Sequence, residues 1–557
     1  MASPRSRTAP ERDGPAPARG VARPLLATVV EAAPWLAAGV PGLAFAVSAT
    51  RGAIASGLGR DQGIFQYVAW AWARGDVGYR DVRDVNGPLT PLVHLALLAL
   101  GGADEGRFRL LDAIVTSAVF AATGAILGAA SCPRPTRARV AVFAAFGALA
   151  GWVVLSAQYL GFIFWDLAQR ETFMDWFLLP SLALSFAAAR AGRSRLTSGA
   201  LVAAGALSAA TWLGKPTYVL FFALQAAALA IGEGTLRDRG RDVGRLVLGA
   251  ALGLGLGCAL ASRWADLGAY ARIASTDVPA MYRFIWPRTT SDIVGLRPVT
   301  LGLAAATALA CAAAAARGYA PRALAALGLA PLAAFASVVL QRKGFPYHFH
   351  PMTATLALAW LALLATAVGR LTDRAGAARL VPTALAGALG LWAAIALRDS
   401  PHAGLGDLAR GTPAHTARFS TFDYFPDELR AAAAHLRATT KPGDRVFHYG
   451  MDPYVLFLAE RRSATPYVYA YDLDCDAALA GSADPAGMHP TAVEAERIRE
   501  MCNMHANDAL ARLAREPPAA LVLVDDSPLM SHADAAADLA AHAPELHRWI
   551  AERYRME

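Results

Sequence analysis

Acidic residues lie close to the ends of apolar segments at several points of this chain. The stretch 59–88 carries Asp61 about a dozen residues after the first apolar segment, and Tyr67, Trp70 and Trp72 follow it. Such aromatic residues are typical of a membrane interface. A carboxylate near a membrane surface, roofed by an amphipathic helix, can act as the general base for an acceptor hydroxyl. The alternative, which is simpler on composition alone, is that Asp61 is a solvated acid in a loop.

A second acidic group lies in WDLAQRETFMDWFL (165–178), which contains Asp166, Arg170, Glu171 and Asp175. Glu171 and Asp175 are four residues apart, so they share one face of a helix. Acids at the edge of a spanning helix are costly unless they face a water-filled cavity. The alternative is capping of an interfacial helix.

Lysine is rare in this chain, and two of its three lysines lie in turns between apolar segments. Among 52 basic residues only Lys215, Lys343 and Lys441 are lysine. Lys215 lies in LGKPTY (213–218) and Lys343 in QRKGFPYHFHP (341–351). A compact ammonium group binds phosphate as a point charge, whereas arginine binds it through a planar fork. Phosphate contact is one interpretation of these lysines. Chance is the other, since Lys441 stands in an ordinary turn.

The turn around Lys343 holds further candidate ligands. Arg342, Tyr347 and His348 lie beside it, and His350 follows. The two histidines are two residues apart and no third ligand is evident, so we predict no zinc site here.

The segment 263–297 is rich in aromatic and basic residues. It contains Arg272, Asp277, Tyr282, Arg283, Trp286 and Arg288. Aromatic rings interleaved with arginines can line a groove for a lipid phosphate or a sugar, and an interfacial aromatic belt is the alternative.

The composition indicates which elements must position these groups. The chain has 557 residues, of which 55% are hydrophobic and 17% charged, and its mean hydropathy is +0.34. Soluble domains carry about 45–50% apolar and about 25% charged residues. The composition therefore excludes a disordered chain, a fibrous chain and an ordinary cytosolic enzyme. It predicts a polytopic α-helical membrane protein, with its net charge of +8 in short loops rather than in a nucleic-acid surface.

About eleven apolar segments are predicted to be transmembrane helices, each of which needs about 20 residues. They lie at 25–48, 108–130, 140–158, 175–190, 196–213, 216–232, 243–262, 298–316, 321–341, 351–369 and 377–397. Residues 88–102 are also apolar, but the segment is short and contains Pro88, Pro91 and His94. We predict a helix at the outer interface for this segment, so that 49–107 forms one external loop.

Arginines concentrate in every second loop. These loops, with their margins, are 131–139, 191–195, 233–242, 317–320 and 370–376. Because cytoplasmic loops carry the basic excess, the N-terminus and these loops are predicted to lie inside. All five candidate groups then lie outside. A transporter would instead be expected to place its charged groups near the bilayer midplane.

The C-terminal 160 residues have a mixed composition, which indicates a separate external domain. The runs 444–450 and 519–526 are typical of buried strands. Helical patterns lie around 426–438, 453–462, 491–514 and 533–552. The alternation predicts a small α/β domain. The predicted domains are a disordered cytoplasmic tail at 1–24, a transmembrane domain at 25–397 and the external domain at 398–557.

The chain has five cysteines and no CxxC motif, so it lacks the signature of a zinc site or of a thioredoxin-like redox site. Cys475 and Cys502 both fall in the predicted external domain. A disulfide between them and two separated free thiols are both consistent with the sequence.

The order of these features resembles the membrane glycosyltransferases of the C superfamily. The motifs are the early loop acid, GYRDVRDVNGPLTPL (78–92) with Tyr79 and Asp81, and the spacing from Arg170 to Asp175. GKPTY, YHFHP and PGDRVFHYGMDPYVLFLAERR (442–462) add to the resemblance. The nearest groups are the family 39 protein O-mannosyltransferase-like enzymes and the lipid A aminoarabinose transferases. Gly87 stands where the family usually has the first of two prolines.

The resemblance implies transfer of a hexose or pentose from a polyprenyl-phosphate donor, with inversion, at the outer face of a bacterial inner membrane. It implies that Asp61 is the base and that Glu171 or Asp175 forms a second acidic site, the choice between them being open. The resemblance assigns the donor phosphate to Lys215, Arg342, Lys343, Tyr347 and His348, with Tyr79, Asp81, Arg170 and Arg283 as further candidates.

The implied acceptor is a lipid, glycan or protein of the cell envelope, and no nucleic acid is expected to bind. The sequence establishes no cofactor and leaves a divalent cation open. The alternative function is that of a non-catalytic carrier of lipid-linked sugars or a polymer-export partner, which would share the topology but need no base.

Overall fold

Apolar helices make up most of the chain, and the computed structural model describes residues 22–191, 194–371, 380–403 and 424–555. Most of the predicted tail at 1–24 and parts of the predicted inner loops 191–195 and 370–376 lie outside the described residues. The predicted class, a polytopic helical membrane protein with a C-terminal α/β part, is confirmed.

The membrane region consists of α-helices, and most of them lie in the predicted apolar segments. They are α1 (Ala22–Gly39), α2 (Leu43–Ile54), α3 (Arg60–Ala73), α4 (Leu89–Gly101), α5 (Glu105–Ser131), α6 (Arg137–Tyr159), α7 (Arg170–Arg190), α8 (Arg195–Trp212), α9 (Val219–Ala230), α10 (Leu236–Ala261), α11 (Leu267–Arg272), α12 (Val278–Ala280), α13 (Thr290–Leu296), α14 (Pro298–Ala316), α15 (Arg322–Gln341), α16 (His350–Leu371) and α17 (Leu380–Arg398).

Nine helical segments of the described residues are long and apolar enough to cross a membrane. They correspond to nine of the predicted spans. The other two predicted spans, 196–213 and 216–232, form α8 and the apolar helix Pro216–Ala230, whose 15 residues are short for a span. Two boundaries differ from the prediction. The first span continues through α2 to Ile54, and α7 begins at Arg170 rather than near 175.

Glycines allow α5 and α6 to approach closely. A Cβ atom added at Gly124 would lie 2.2 Å from the carbonyl oxygen of Gly147, and one at Gly151 would lie 2.5 Å from the Cα of Gly124. Small residues at helix contacts let backbones pack in the absence of a hydrophobic driving force between helices. This contact fixes α5 and α6 against each other.

The arginine-rich loops gather on one side of the helical bundle, here named the arginine side. Arg139 donates to Thr28 Oγ1 at 3.3 Å, and Arg190 Nε donates to the Ala130 carbonyl at 3.2 Å. Arginine side chains on this side therefore join helices that are not consecutive, α6 to α1 and α7 to α5.

The opposite side carries the C-terminal part and is here named the domain side. Helix α4 has both of its ends there. Its first N–H, that of Leu89, donates to Leu213 at the end of α8, at 3.2 Å. At the other end, Glu105 accepts from Arg430 of the C-terminal part at 3.1 Å. Helix α4 has 13 residues, which is short for a span, and the interfacial position of 88–102 stays a prediction.

A three-stranded parallel sheet forms the centre of the C-terminal part. Its order is β2-β1-β3, with β1 at Arg445–Tyr449, β2 at Arg462–Ser463 and β3 at Ala520–Leu523. The helices are α18 (Pro426–Thr439), α19 (Tyr454–Ala459), α20 (Asp476–Ala480), α21 (Ala492–Arg515), α22 (Ala535–His542) and α23 (Pro544–Arg553). The sequence predicted β1 and β3, but β2 has only two residues and shows no alternation.

A disulfide joins Cys475 to Cys502, with their Cα atoms 6.4 Å apart. It links the residue before α20 to α21. Of the two alternatives that the sequence left open, the structure has the bridge.

Labelling of single cysteines tests the orientation. In a chain whose free Cys132, Cys258 and Cys311 are replaced by serine, we expect Lys441→Cys to react with a membrane-impermeant maleimide in intact cells. Arg241→Cys should react only after permeabilisation, because arginine-rich loops remain cytoplasmic. If position 241 alone reacts in intact cells, the predicted orientation is wrong and the arginine-rich loops lie outside.

Candidate functional site

A cavity of about 300 Å³ lies between the membrane helices and the C-terminal part. Ligand sites start at about this size. Its walls come from the start of α3, the turn before α7, the segment 282–286, the turn 343–347 and the C-terminal loops. These segments lie far apart in sequence and meet only through the fold.

Asp61 lies in the first turn of α3 and is half-buried in the cavity wall. Gln169 Nε2 approaches its Oδ2 at 3.4 Å, and the side chain of Tyr347 hydrogen-bonds to it. Burial raises the pKa of Asp61, and the Tyr347 hydrogen bond and the charges of Arg60 and Arg170 oppose that rise. A carboxylate that is not fully paired and faces a cavity can accept a proton.

Arg60, next to Asp61, is held by the C-terminal part. Its Nε donates to Asp452 Oδ1 at 2.9 Å, and its guanidinium lies over the ring of Tyr424. The two charges offset each other, and the C-terminal part thereby positions the first turn of α3.

A buried cluster of charges lies beside the cavity, around Glu171. Glu171 has no exposed surface and pairs with Arg170 at 3.0 Å and with Lys215. His348 Nε2 lies 3.7 Å from the same carboxylate oxygen. Arg170 also donates to Asn86 Oδ1, and both of these residues line the cavity. The carboxylate therefore holds two cations in place.

Asp175 lies one helical turn further along α7 than Glu171. It is buried, its Oδ1 has no hydrogen-bond partner, and it makes no ion pair within the described part of the chain. It does not line the cavity. Of the two acids that the sequence left open, Glu171 is the one in contact with a cavity-lining side chain, Arg170.

Lys343 lines the cavity and is only 5% exposed. Its ammonium donates to the carbonyls of Tyr282, at 2.9 Å, and Ile285, and it lies 4.6 Å from the centre of the Tyr282 ring. No carboxylate of the described residues pairs with it. Burial lowers the pKa of Lys343 to about 7. The cavity thus contains a cation with no anionic partner.

The loop before α4 forms a buried hydrogen-bonded wall. Asp84 accepts from the amide of Asn86 at 2.7 Å and from the Tyr469 hydroxyl at 3.0 Å. Tyr79 donates to the Asn86 carbonyl at 2.8 Å. Burial raises the pKa of Asp84 to about 6, and its hydrogen bonds to Asn86 and Tyr469 oppose this. Tyr79, a sequence candidate, therefore shapes the wall through Asn86.

Three of the other predicted candidates point away from the cavity. Arg342 is exposed, in the left-handed region with φ of 53°, and Asp81 pairs with its neighbour Arg80 at 2.9 Å. Arg283 pairs with Glu494 of α21 at 2.5 Å.

The sequence did not identify the C-terminal residues that close the cavity. They are Met451, Tyr469, Tyr471, Pro528 and Leu529. The only available signal was the resemblance of 442–462 to an external domain, which singles out no side chain. The same holds for Gln169, whose amide nitrogen reaches Asp61 from the loop before α7.

One group of three side chains among the described residues could hold a metal ion. It comprises Asp474, Asp538 and His542, whose ligand atoms lie within 4.8 Å of one another. Asp538 already accepts hydrogen bonds from Ser531, at 3.0 Å, and from Tyr449. The three lie in the C-terminal part and do not line the cavity.

The sequence matches no family model and no curated protein. Solved structures do match. One is ArnT from Cupriavidus metallidurans bound to undecaprenyl phosphate, at 14% identity and a TM-score of 0.40, over 80% of this chain and 86% of that chain. Another is the Archaeoglobus fulgidus oligosaccharyltransferase tethered to an acceptor peptide, at 11% identity and a TM-score of 0.42. The match covers 83% of this chain and 68% of that chain.

A third match is AglB from Archaeoglobus fulgidus in complex with an inhibitory peptide and a dolichol-phosphate, at 11% identity and a TM-score of 0.43, over 83% of this chain and 68% of that chain. ArnT is a lipid A aminoarabinose transferase, and both it and AglB belong to the C superfamily, so the predicted resemblance is confirmed as a resemblance. Likenesses this weak carry no argument about what this chain does.

Substitution of the two acids of α7 tests their different surroundings. Glu171→Gln leaves two buried cations uncompensated, and we expect a loss of about 3–5 kcal/mol in the free energy of unfolding. Asp175→Asn removes an unpaired buried carboxylate and should leave stability unchanged or higher. Unfolding in mixed micelles measures both variants. Equal losses would contradict the assignment of the ion pairs to Glu171.

Proposed function

We propose that the protein transfers a sugar from a polyprenyl-phosphate donor to a hydroxyl group of an acceptor in this cavity. The observation that carries the proposal is Lys343, a buried cation that pairs with no carboxylate of the described residues. It lines the same cavity as the half-buried base Asp61. Such a transfer requires a group that binds the donor phosphate and a group that accepts the proton of the acceptor hydroxyl.

An incoming phosphate would compensate the buried charge of Lys343. A buried charge is costly unless it is paired and hydrogen-bonded. Its present partners are carbonyl oxygens and an aromatic ring, which are dipoles rather than charges. A phosphate oxygen would also favour the protonated lysine. The surroundings of Lys343 therefore favour binding of an anion.

Asp61 supports the base role. The acceptor hydroxyl gives its proton to the Asp61 carboxylate while its oxygen attacks the anomeric carbon. The bond from that carbon to the phosphate oxygen breaks, and its electron pair leaves on the polyprenyl phosphate. Lys343 stabilises the charge that develops on this leaving group. A single displacement of this kind inverts the anomeric centre, as the family resemblance implies.

Lys215 has a different part in this proposal from the one that the resemblance implies. Its charge is already paired with Glu171. We assign it to positioning, together with Glu171 and His348, so that Arg170 remains directed at Asn86 and the cavity. Donor contact is assigned to Lys343, with Tyr347 holding Asp61.

The location follows from the arginine-rich loops. If these loops are cytoplasmic, the cavity opens at the outer face of a bacterial inner membrane, with the C-terminal part outside. A polyprenyl phosphate would then reach Lys343 from the bilayer, and a cell-envelope acceptor would enter from the aqueous side.

Conservative variants test the proposal and the carrier alternative together. We expect Asp61→Asn to lower sugar transfer by about 10²–10⁴-fold, because the proton acceptor is lost. Lys343→Arg keeps the charge but displaces the phosphate, and an error of about 1 Å costs about a hundredfold. Lys441→Arg, in an exposed turn, is the matched control and should change stability by less than about 0.5 kcal/mol.

Transfer is measured by mass spectrometry of cell-envelope glycans from strains with each variant and from a strain without the protein. Normal glycans with Asp61→Asn at normal membrane expression would favour the carrier. Full transfer by both Lys343→Arg and Lys441→Arg would place the phosphate elsewhere.

A further inference from the structure

The two sides of the cavity differ in charge. The charged residues that line it are Arg60, Asp61, Arg170 and Lys343, and none of them belongs to the C-terminal part. The C-terminal part contributes uncharged side chains only, among them Tyr469 and Tyr471. A phosphate thus finds its partners on the membrane side, and the opposite side is suited to a neutral group.

Tyrosine rings form the neutral side. Tyr471 stacks on Tyr469 with ring centres 5.0 Å apart and planes 16° apart. Tyr282 faces Tyr471 from the segment before α13, at 5.9 Å and 50°. Tyr469 is fixed by its hydrogen bond to Asp84. This arrangement holds the rings in place without using every hydroxyl.

The hydroxyls of Tyr282 and Tyr471 make no hydrogen bond within the described residues, and neither is a fully buried atom without a partner. A phenolic hydroxyl both donates and accepts a hydrogen bond. Two free phenols on a neutral, largely apolar cavity wall can bind a molecule that has C–H faces and hydroxyl edges. A sugar ring has both features.

The position of Tyr282 connects this surface to the phosphate site. Its carbonyl accepts from Lys343, and its ring lies beneath the Lys343 ammonium at 4.6 Å. A sugar on Tyr282 and Tyr471 would therefore lie next to a phosphate on Lys343. In the donor the two groups are joined by one bond.

We propose that Tyr282 and Tyr471 form a subsite for a neutral sugar ring, backed by Tyr469. The inference rests on the proposed function, because it takes Lys343 as the phosphate contact. The ring is that of the transferred sugar or that of a glycan acceptor. A sugar that carries a carboxylate would gain no partner from this wall.

Binding of two simple probes tests the subsite on the full-length protein. The probes are undecaprenyl phosphate, and a panel of neutral methyl hexosides and pentosides with methyl glucuronide as the charged comparison. We expect at least one neutral glycoside to bind more tightly than the glucuronide. Tyr471→Phe should weaken that binding about threefold to tenfold, since it removes one hydrogen bond and keeps the ring. Tyr471→Leu should weaken it further.

Tyr554→Phe is the matched control, because the Tyr554 hydroxyl donates to Pro518 away from the cavity. Undecaprenyl phosphate should bind all three tyrosine variants as it binds the wild type, which also shows that they are folded. Lys343→Met should lose undecaprenyl phosphate and keep the glycoside. Displacement of the glycoside by undecaprenyl-phosphoryl hexose indicates the donor ring, and simultaneous binding indicates the acceptor ring; both support the subsite.

The subsite is overturned if no neutral glycoside binds the wild type at millimolar concentration while undecaprenyl phosphate does. It is also overturned if Tyr471→Phe and Tyr471→Leu bind glycosides as Tyr554→Phe does. Failure of undecaprenyl phosphate to bind the wild type would instead refute the phosphate site of the proposed function.

Discussion

The fold around the cavity depends on one constraint, that charges at a membrane surface must be compensated when they are buried. Glu171 satisfies it for Arg170 and Lys215, and in doing so ties the start of α7 to the turn after α8. Asp452 does the same for Arg60 and ties the C-terminal part to α3. The pairs that neutralise charge are therefore also the pairs that bring separate segments together.

Lys343, on the cavity wall, departs from that pattern, and its neighbours explain how the chain tolerates it. Carbonyl oxygens and the ring of Tyr282 lower the cost of burial without cancelling the charge. The lysine is thereby kept available for an anion from outside the chain. In this account Glu171 maintains the wall, Lys343 binds the phosphate, and Asp61 takes the proton.

Local composition predicted the parts of the structure that depend on local physics. Apolar length located the spans, and arginine placed their loops on one side, because both signals lie within a few residues. Asp61 and Lys343 both line the cavity; the first was singled out by its place after an apolar segment and the second by the rarity of lysine in the chain. The pairing of Lys215 with Glu171, and of Arg60 with Asp452, joins residues 44 and 392 positions apart. No spacing rule contains such a pair, so Lys215 was assigned to the donor and Arg60 was not singled out at all.

The most direct test of the central claim is the affinity for undecaprenyl phosphate as a function of pH, for the wild type and for Lys343→Arg. Burial lowers the pKa of Lys343 to about 7, so its charged form is present below that pH and is lost above it. Arginine stays charged, and comparison with it cancels the titration of the lipid and of Asp61. We predict that the ratio of wild-type to variant affinity falls as the pH rises from about 6 to about 9, approaching about tenfold per pH unit above the pKa. A ratio that is constant over this range would show that Lys343 does not hold the phosphate.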